Sequence, residues 1–231
     1  MSFIAPIIDK LTADTTVNLD NSMSAADIQA LIDAQPKNLN GFNLIFQFAD
    51  GTYTLDTSLI FIAFNGGGTL YILGKGSDSS LSTTKSVYLN FTSGNCDGIQ
   101  YLSSSAHGYI RFLKIGVNNS TTDRHALYLF NANYVRVRQN YLLGTGTTYG
   151  RGSMSVGTSH VNYNENYIGT INTGIRQQGG TAYAFNNDDT TTTPTFGLYV
   201  DEGCHMGTSG TNPSGTSANT TAVNGGLITA V

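Results

Sequence analysis

Three short segments decide the fold: Tyr109-Ile110-Arg111-Phe112, Tyr134-Val135-Arg136-Val137 and His160-Val161-Asn162-Tyr163. They begin at positions 109, 134 and 160, so they lie 25 and then 26 residues apart. The register continues beyond them: Gln139-Asn140-Tyr141-Leu142 matches Glu165-Asn166-Tyr167-Ile168, again 26 apart. A second family interleaves with the first. It comprises Gly98-Ile99-Gln100-Tyr101, Ala126-Leu127-Tyr128-Leu129, Ser153-Met154-Ser155-Val156, Gly174-Ile175-Arg176-Gln177 and Gly197-Leu198-Tyr199-Val200. Its second positions are separated by 28, 27, 21 and 23 residues.

A drifting period with two or three short strands in each repeat is the pattern of a β-solenoid. A single coil cannot bury its inner face, so like strands of successive coils stack into long parallel sheets. A hairpin sandwich would not keep this register across an intervening strand, and no leucine-rich repeat pattern is present. The expected fold is all-β: a right-handed parallel β-helix with a short N-terminal capping helix. The repeats predict one column of Ile110, Val135 and Val161, and another of Leu127, Met154, Ile175 and Leu198. Asn140 and Asn166 fall at equivalent points. Asn tolerates the left-handed backbone of a sharp corner, and stacked Asn side chains can hydrogen-bond between coils.

Towards the N-terminus one segment reads as a helix, Ala25–Ala34. Ser24 is a good N-cap, with Asp27 three residues later near the positive end. Ile28, Leu31 and Ile32 fall at i, i+3 and i+4, and Pro36 ends the run. About three turns cannot stand alone in water, so the helix must lie on an apolar surface. After Gly41 come strand-like runs at Asn43–Phe48, Leu59–Ala63, Thr69–Leu73 and Val87–Phe91, punctuated by Gly-rich turns. Two regions follow: an N-terminal arm with its capping helix over 1–40, and a single β-helix domain over 41–231. The Gly/Ser/Thr/Asn-rich segment near 207–226 reads as a long loop before a last apolar run, Leu227–Val231.

The bulk composition agrees. Charged residues make up 11% of the 231, well under the ~25% of ordinary domains, and 27 glycines accompany abundant Thr, Ser and Asn. With 13 Tyr and 11 Phe the chain is polar yet able to fold. A net charge of −4 without a basic run argues against nucleic acid. No apolar stretch approaches a membrane span. Met1 to Lys10 lack a basic stretch before an apolar one, so no secretory signal is expected. Cys96 and Cys204 show no metal-ligand spacing and read as two unpaired thiols.

A resemblance joins these readings. Ala26-Asp27-Ile28-Gln29-Ala30-Leu31-Ile32-Asp33, Pro36-Lys37-Asn38-Leu39-Asn40-Gly41, Phe48-Ala49-Asp50-Gly51-Thr52-Tyr53 and Gly66-Gly67-Gly68-Thr69-Leu70-Tyr71-Ile72-Leu73-Gly74 follow in order. This resembles the N-terminal part of pectin-lyase-like β-helix proteins, especially phage and prophage tail fibres and tailspikes. In that family a helix caps the β-helix, and a strand ending in Ala-Asp-Gly-Thr-Tyr opens the first coil. The resemblance covers Ala26 to Gly74 and implies a homotrimer in a virion tail, joined to other virion tail proteins. It also implies binding to bacterial surface polysaccharide, with cleavage in some members, and no dedicated cofactor.

Candidate chemistry is sparse. Paired carboxyls for glycoside hydrolysis, roughly 5–9.5 Å apart, could come from Asp188-Asp189 or from Asp201-Glu202, both read as exposed loop positions. Asp123-Arg124-His125 offers a base and a cation for elimination from a uronate. Alternation along a strand, however, puts Arg124 on the face opposite Asp123 and His125. No Asp cluster suited to a hard cation is evident, so no metal is expected. Sugar contacts are placed on Tyr128, Tyr149, Arg151 and Tyr199. The expectation is a tail-fibre receptor-binding protein that holds glycan without cleaving it. The alternatives are a polysaccharide lyase or glycosidase of the same fold, and a structural spacer.

Overall fold

The computed structural model describes residues 10–78, 83–119, 122–145, 148–189 and 193–231. Residues 1–9, on which the signal reading rests, and the Thr-rich residues 190–192 lie outside them. Nearly every described strand belongs to a parallel β-solenoid of about eight turns. Three sheets form its walls, of nine, seven and five strands, and in each the spatial order follows the chain order. All strand pairs are parallel, Tyr134–Arg138 beside His107–Arg111 among them. A full coil runs from a strand of the seven-stranded sheet to one of the nine-stranded sheet and then to one of the five-stranded sheet.

Sharp corners separate these walls. In successive coils the strands of the seven-stranded sheet end in Ala63, Ser103, Asn131, Gly157, Gly179 and Glu202, all with positive φ. The strands of the nine-stranded sheet end in Phe112, Gln139, Glu165 and Asn186, with φ between 48° and 64°. A left-handed non-glycine residue costs about 1 kcal/mol or more. At the corner after the nine-stranded sheet that cost is offset by the next residue in the chain.

That next residue is an asparagine in three consecutive coils. Asn140 Nδ2 donates to Asn166 Oδ1 (3.1 Å), Asn166 Nδ2 to Asn187 Oδ1 (2.9 Å) and Asn187 Nδ2 to Asn212 Oδ1 (3.1 Å). Each carboxamide also serves the backbone. The Oδ1 atoms of Asn140, Asn166 and Asn187 accept from the backbone N–H of Leu113, Asn140 and Asn166. The amides donate to the carbonyls of Ile110, Val137 and Tyr163. Asn140, Asn166 and Asn187 are all buried. The ladder between coils is as the repeats suggest, but the left-handed residue is the one before: Gln139 and Glu165 take the strained backbone, and Asn140 and Asn166 turn inward.

The predicted columns need correction in two places. Ile110 stacks on Val137, and Val135 stacks on Gly108 and Val161. The match of Tyr109 to Tyr134 is out by two residues, which preserves the face but moves the rung. Gly108 sets the true register, because a Cβ there would lie 3.0 Å from the ring of buried Tyr101. In the seven-stranded sheet Met154 lies beside Tyr128 and Arg176, while Ser153 takes the place in the column of Ile99, Leu127, Ile175 and Leu198. A one-residue slip reverses the faces of a strand. Here the apolar residue is on the outer side because Tyr163, from the facing sheet, fills that coil's interior. Its hydroxyl lies 3.0 Å from Ser153 Oγ, and Ser153 and Ser155 are the small residues opposite it. Large and small residues thus alternate across the coil, keeping it filled.

The cap is the helix Ala25–Asp33, closed at its N-terminus by a reciprocal Ser24/Asp27 capping box. Ala25, Ile28 and Ile32 are buried on the core, whereas Leu31 is only partly buried. The helix occupies the place in the coil where a further strand of the seven-stranded sheet would lie. Gln29 completes the substitution. Its carboxamide accepts from Ile60 N (2.8 Å) and donates to Ile60 O (3.0 Å), satisfying the edge strand Leu59–Ile62 as a neighbouring peptide would.

Two stretches differ from the sequence reading. The nine-stranded sheet begins before the helix, with Thr15–Leu19 paired to Leu44–Phe48. Leu44–Phe48 ends ahead of Ala49, and Gly51–Leu55 starts a separate strand of the five-stranded sheet. The Gly/Ser/Thr/Asn-rich segment is not one long loop: it contains the strand Ala218–Ala222, paired with Phe196–Asp201. Parallel backbone hydrogen bonds make that strand, so it needs no apolar side chains. Cys96 and Cys204 are both free and buried.

Two stability predictions follow from these contacts. Asn166→Ala strips partners from two buried backbone groups, Asn140 N–H and Val137 C=O, and should cost about 3 kcal/mol in chemical denaturation; a loss below about 0.5 kcal/mol would contradict the role given to the ladder. Ile28→Ala should cost ~2–5 kcal/mol, and Leu31→Ala distinctly less, because only Ile28 is fully buried. Equal losses would show that the cap does not seat through Ile28.

Candidate functional site

The side chains that converge lie on the outer face of the nine-stranded sheet. Period-two alternation in Tyr134–Arg138 turns Val135 and Val137 inward and Tyr134, Arg136 and Arg138 outward. Because the coils are in register, those outward positions continue into neighbouring strands. His107, Tyr134 and His160 form one row, with Tyr71, Tyr109, Arg136 and Asn162 beside it. Arg111, Arg138 and Asn164 form a third.

The rings pack as a ladder. Tyr71 and Tyr109 meet edge to face at 5.5 Å. Tyr134 lies between His107 and His160, 5.1 Å from each and nearly parallel to His160. Arg136 lies 5.4 Å from the Tyr134 ring and donates from Nε to its hydroxyl (2.8 Å). Arg138 pairs with Glu165 at 3.2 Å, and Arg111 donates to Gln139 Oε1. Burial and the neighbouring Arg136 cation push the His160 pKa down, so its ring is neutral near neutral pH.

A concavity of about 280 Å³ opens on this face, lined by Tyr71, His107, Tyr109, Tyr134 and Arg136 among others. A smaller one of about 70 Å³ shares Tyr109 and Arg136 with it and adds Arg138, Asn162 and Asn164. The two make a groove crossing four adjacent strands, roughly 14 Å at ~4.8 Å per strand. A wider depression of about 320 Å³ lies at the turns that lead into three of these strands, lined by Ser103–Ser105, Asn131–Asn133, Gly157 and Ser159.

The residues singled out from sequence lie elsewhere. Tyr128 and Tyr199 are on the outer face of the seven-stranded sheet, separated by the rungs of Met154 and Arg176. Arg176 lies over the Tyr199 ring at 4.9 Å. Tyr149 is exposed in the turn before Arg151. Arg151 binds Asp123 and lies 3.4 Å from His125 Nε2. The groove is built on the first family of repeat segments, in which periodicity by itself marks the coils and not the side chains that meet between them. The signal was present in the outward positions of those same segments, which carry Tyr, Arg and His.

The carboxylates are not the exposed loop pairs expected. Asp201 is buried at the end of Phe196–Asp201, bonded by Asn224 Nδ2 (2.9 Å) and Arg176 Nη2 (2.7 Å). The Asn224 hydrogen bond and then Arg176 hold its pKa below the usual carboxylate range, the opposite of what a general acid needs. Glu202 is exposed and accepts from Gln178. Asp189 is buried against Ser214 Oγ (3.1 Å), and burial raises its pKa. Asp188 bridges to Tyr167, at the edge of the five-stranded sheet. Neither pair lines the groove.

Asp123 and His125 do share a face, 4.0 Å apart, and Arg124 turns away to Gly94 O. Arg151 of the next coil supplies the cation between them. Burial pulls the Asp123 pKa up, but Arg151 outweighs it and leaves the carboxyl below its ordinary value. His125 is buried; burial drives its pKa below the usual 6.5, against the pull of Asp97 and with a further push from Arg151. These contacts form an electrostatic knot joining two coils. Among the described residues, no group of three or more His, Cys, Asp or Glu side chains could hold a metal ion.

No family model matches the chain, and neither a curated protein nor a solved structure matches it.

The knot carries a pH prediction. A histidine with a depressed pKa in the fold takes up its proton first in the unfolded chain, so its stabilisation is full above about pH 6.5 and is lost as pH falls below that. The thermal midpoint should therefore drop between about pH 7 and pH 5, and His125→Gln should flatten that slope. An unchanged slope would mean that His125 is not held neutral.

Proposed function

We propose that this chain is a glycan-binding solenoid of the tail-fibre type, holding a bacterial surface polysaccharide along its nine-stranded sheet without cleaving it. The observation that carries the reading is the groove of Tyr71, Tyr109 and Tyr134. A tyrosine ring offers a flat apolar face with a negative quadrupole, which suits the C–H face of a sugar, and its hydroxyl can bond the sugar's edge. A row of such rings along the stacking direction suits a polymer better than a compact ligand. The polar, nearly uncharged walls are consistent with a virion fibre, and the resemblance over residues 26–74 points the same way.

Binding without cleavage is supported by the state of the carboxyls. Asp201 is held ionised by its partners, and Asp188 bridges to the five-stranded sheet, a different wall from the groove. The test is direct. The purified chain is incubated with surface polysaccharides from a panel of bacteria, and both binding and chain length are followed. Tyr109→Ala and Tyr134→Ala should each weaken binding about tenfold, or ~1.4 kcal/mol, with polymer length unchanged. Shortened chains whose appearance is abolished by Asp201→Asn or Asp188→Asn would overturn the non-catalytic reading in favour of a depolymerase. In line with the resemblance, we also propose a homotrimer; sedimentation should give a mass near three times 24.6 kDa, and a monomer at every concentration would reject it.

A further inference from the structure

Charge is distributed unevenly over this molecule. The chain carries 11 basic and 15 acidic residues, a net charge of −4. Yet three of its six arginines, Arg111, Arg136 and Arg138, project from two adjacent strands of one face. Glu165 neutralises Arg138. Among the described residues no ion pair involves Arg111 or Arg136. Arg111 is occupied by the neutral acceptor Gln139. Arg136 is exposed, and only its Nε is used, on the Tyr134 hydroxyl. Its two terminal nitrogens have no hydrogen-bond partner among the described residues.

An arginine fixed through Nε presents the remaining edge of its guanidinium as a rigid pair of donors. That spacing matches the two oxygens of a carboxylate. Arg136 lines both concavities of the groove, with Tyr109 beside it. On the basis of the glycan-binding reading above, we infer that the ligand is an acidic polysaccharide whose sugars carry carboxylates, and that Arg136 binds one of them in bidentate fashion while Tyr71 and Tyr109 support neighbouring rings. Asn162 and Asn164, which line the smaller concavity, supply amide groups for hydroxyls.

The inference distinguishes a carboxylate from a diffuse negative charge. A sulfated polymer is attracted by any cation, whereas a bidentate carboxylate contact requires the guanidinium fork. Lysine at the same position would keep the charge and lose the fork.

The experiment measures binding of the full chain to alginate and to polysialic acid. Each polymer is tested before and after chemical reduction of its carboxyls to hydroxymethyl groups, with dextran sulfate as a charge control. Calorimetry and affinity electrophoresis give the affinities at two salt concentrations. At least one native acidic polymer should bind, and reduction should weaken it about tenfold or more. Arg136→Gln should produce the same loss, and Arg136→Lys should restore little of it. Because Arg136 is exposed, both variants should keep the parent's thermal midpoint. If reduced and native polymers bind alike, and Arg136→Gln changes nothing while Tyr109→Ala abolishes binding, the carboxylate inference falls and the glycan reading stands. If dextran sulfate binds as tightly and Arg136→Lys is fully active, the contact is general charge attraction and the inference is overturned. If no polymer binds, both the inference and the glycan reading are overturned.

Discussion

The asparagine ladder at one corner of the coil is the constraint on which the rest of the solenoid depends. A parallel stack satisfies its strand backbones through neighbouring coils, but each corner turns N–H and C=O groups inward where water cannot reach them. Asn140, Asn166 and Asn187 meet both needs at once, because a carboxamide donates and accepts as a peptide does. Each couples its coil to the next, so the corner cannot slip without losing several buried hydrogen bonds together. The left-handed residues before them, Gln139, Glu165 and Asn186, are tolerable on this account. With the corner pinned, the strands on either side are held in register, and the outer rows of the nine-stranded sheet line up as a consequence.

The interior obeys a second rule, constant filling of each coil. Tyr101 faces Gly108, and Tyr163 faces Ser153 and Ser155. The large residue can come from either sheet, so long as the other sheet is small at that level. This is why apolarity alone misplaces Met154. It also explains how buried Ser153 and Ser155 occur inside a solenoid that is otherwise lined with Leu, Ile and Phe. At the N-terminal end the same economy holds. A helix replaces a strand, its apolar face fills the coil, and Gln29 provides the hydrogen bonds that a strand would have made.

The outer faces divide the chemistry between them. On the seven-stranded sheet, Arg151 pairs with Asp123 and Arg176 with Asp201 across coils, with His125 held neutral beside the first pair. On the nine-stranded sheet, aromatic rings and arginines outnumber the acids, and hydrogen-bonding capacity is left over. Arg136, which has no ion pair among the described residues, stands in the aromatic groove of that sheet.

The repeat, the parallel stacking and the capping helix were legible in the sequence. Each depends on local periodicity: strands recurring every 21 to 28 residues, Ile28 and Ile32 one helical turn apart, and a Ser24/Asp27 cap. Asn140 and Asn166 were visible as equivalent positions for the same reason. Only the tertiary structure decided the rungs and the site. Whether Val135 or Val137 lies on Ile110 is set by a ring from another sheet pressing on Gly108, a contact with no local signature. The burial of Asp201 and Asp189 likewise comes from Arg176, Asn224 and Ser214, about 25 residues away in sequence, a coil's length. The spacing of the repeats brings the segments of Tyr109, Tyr134 and Arg136 to one wall, but which of these side chains adjoin is fixed by the register between coils, which sets Arg136 beside Tyr109 and adds Tyr71.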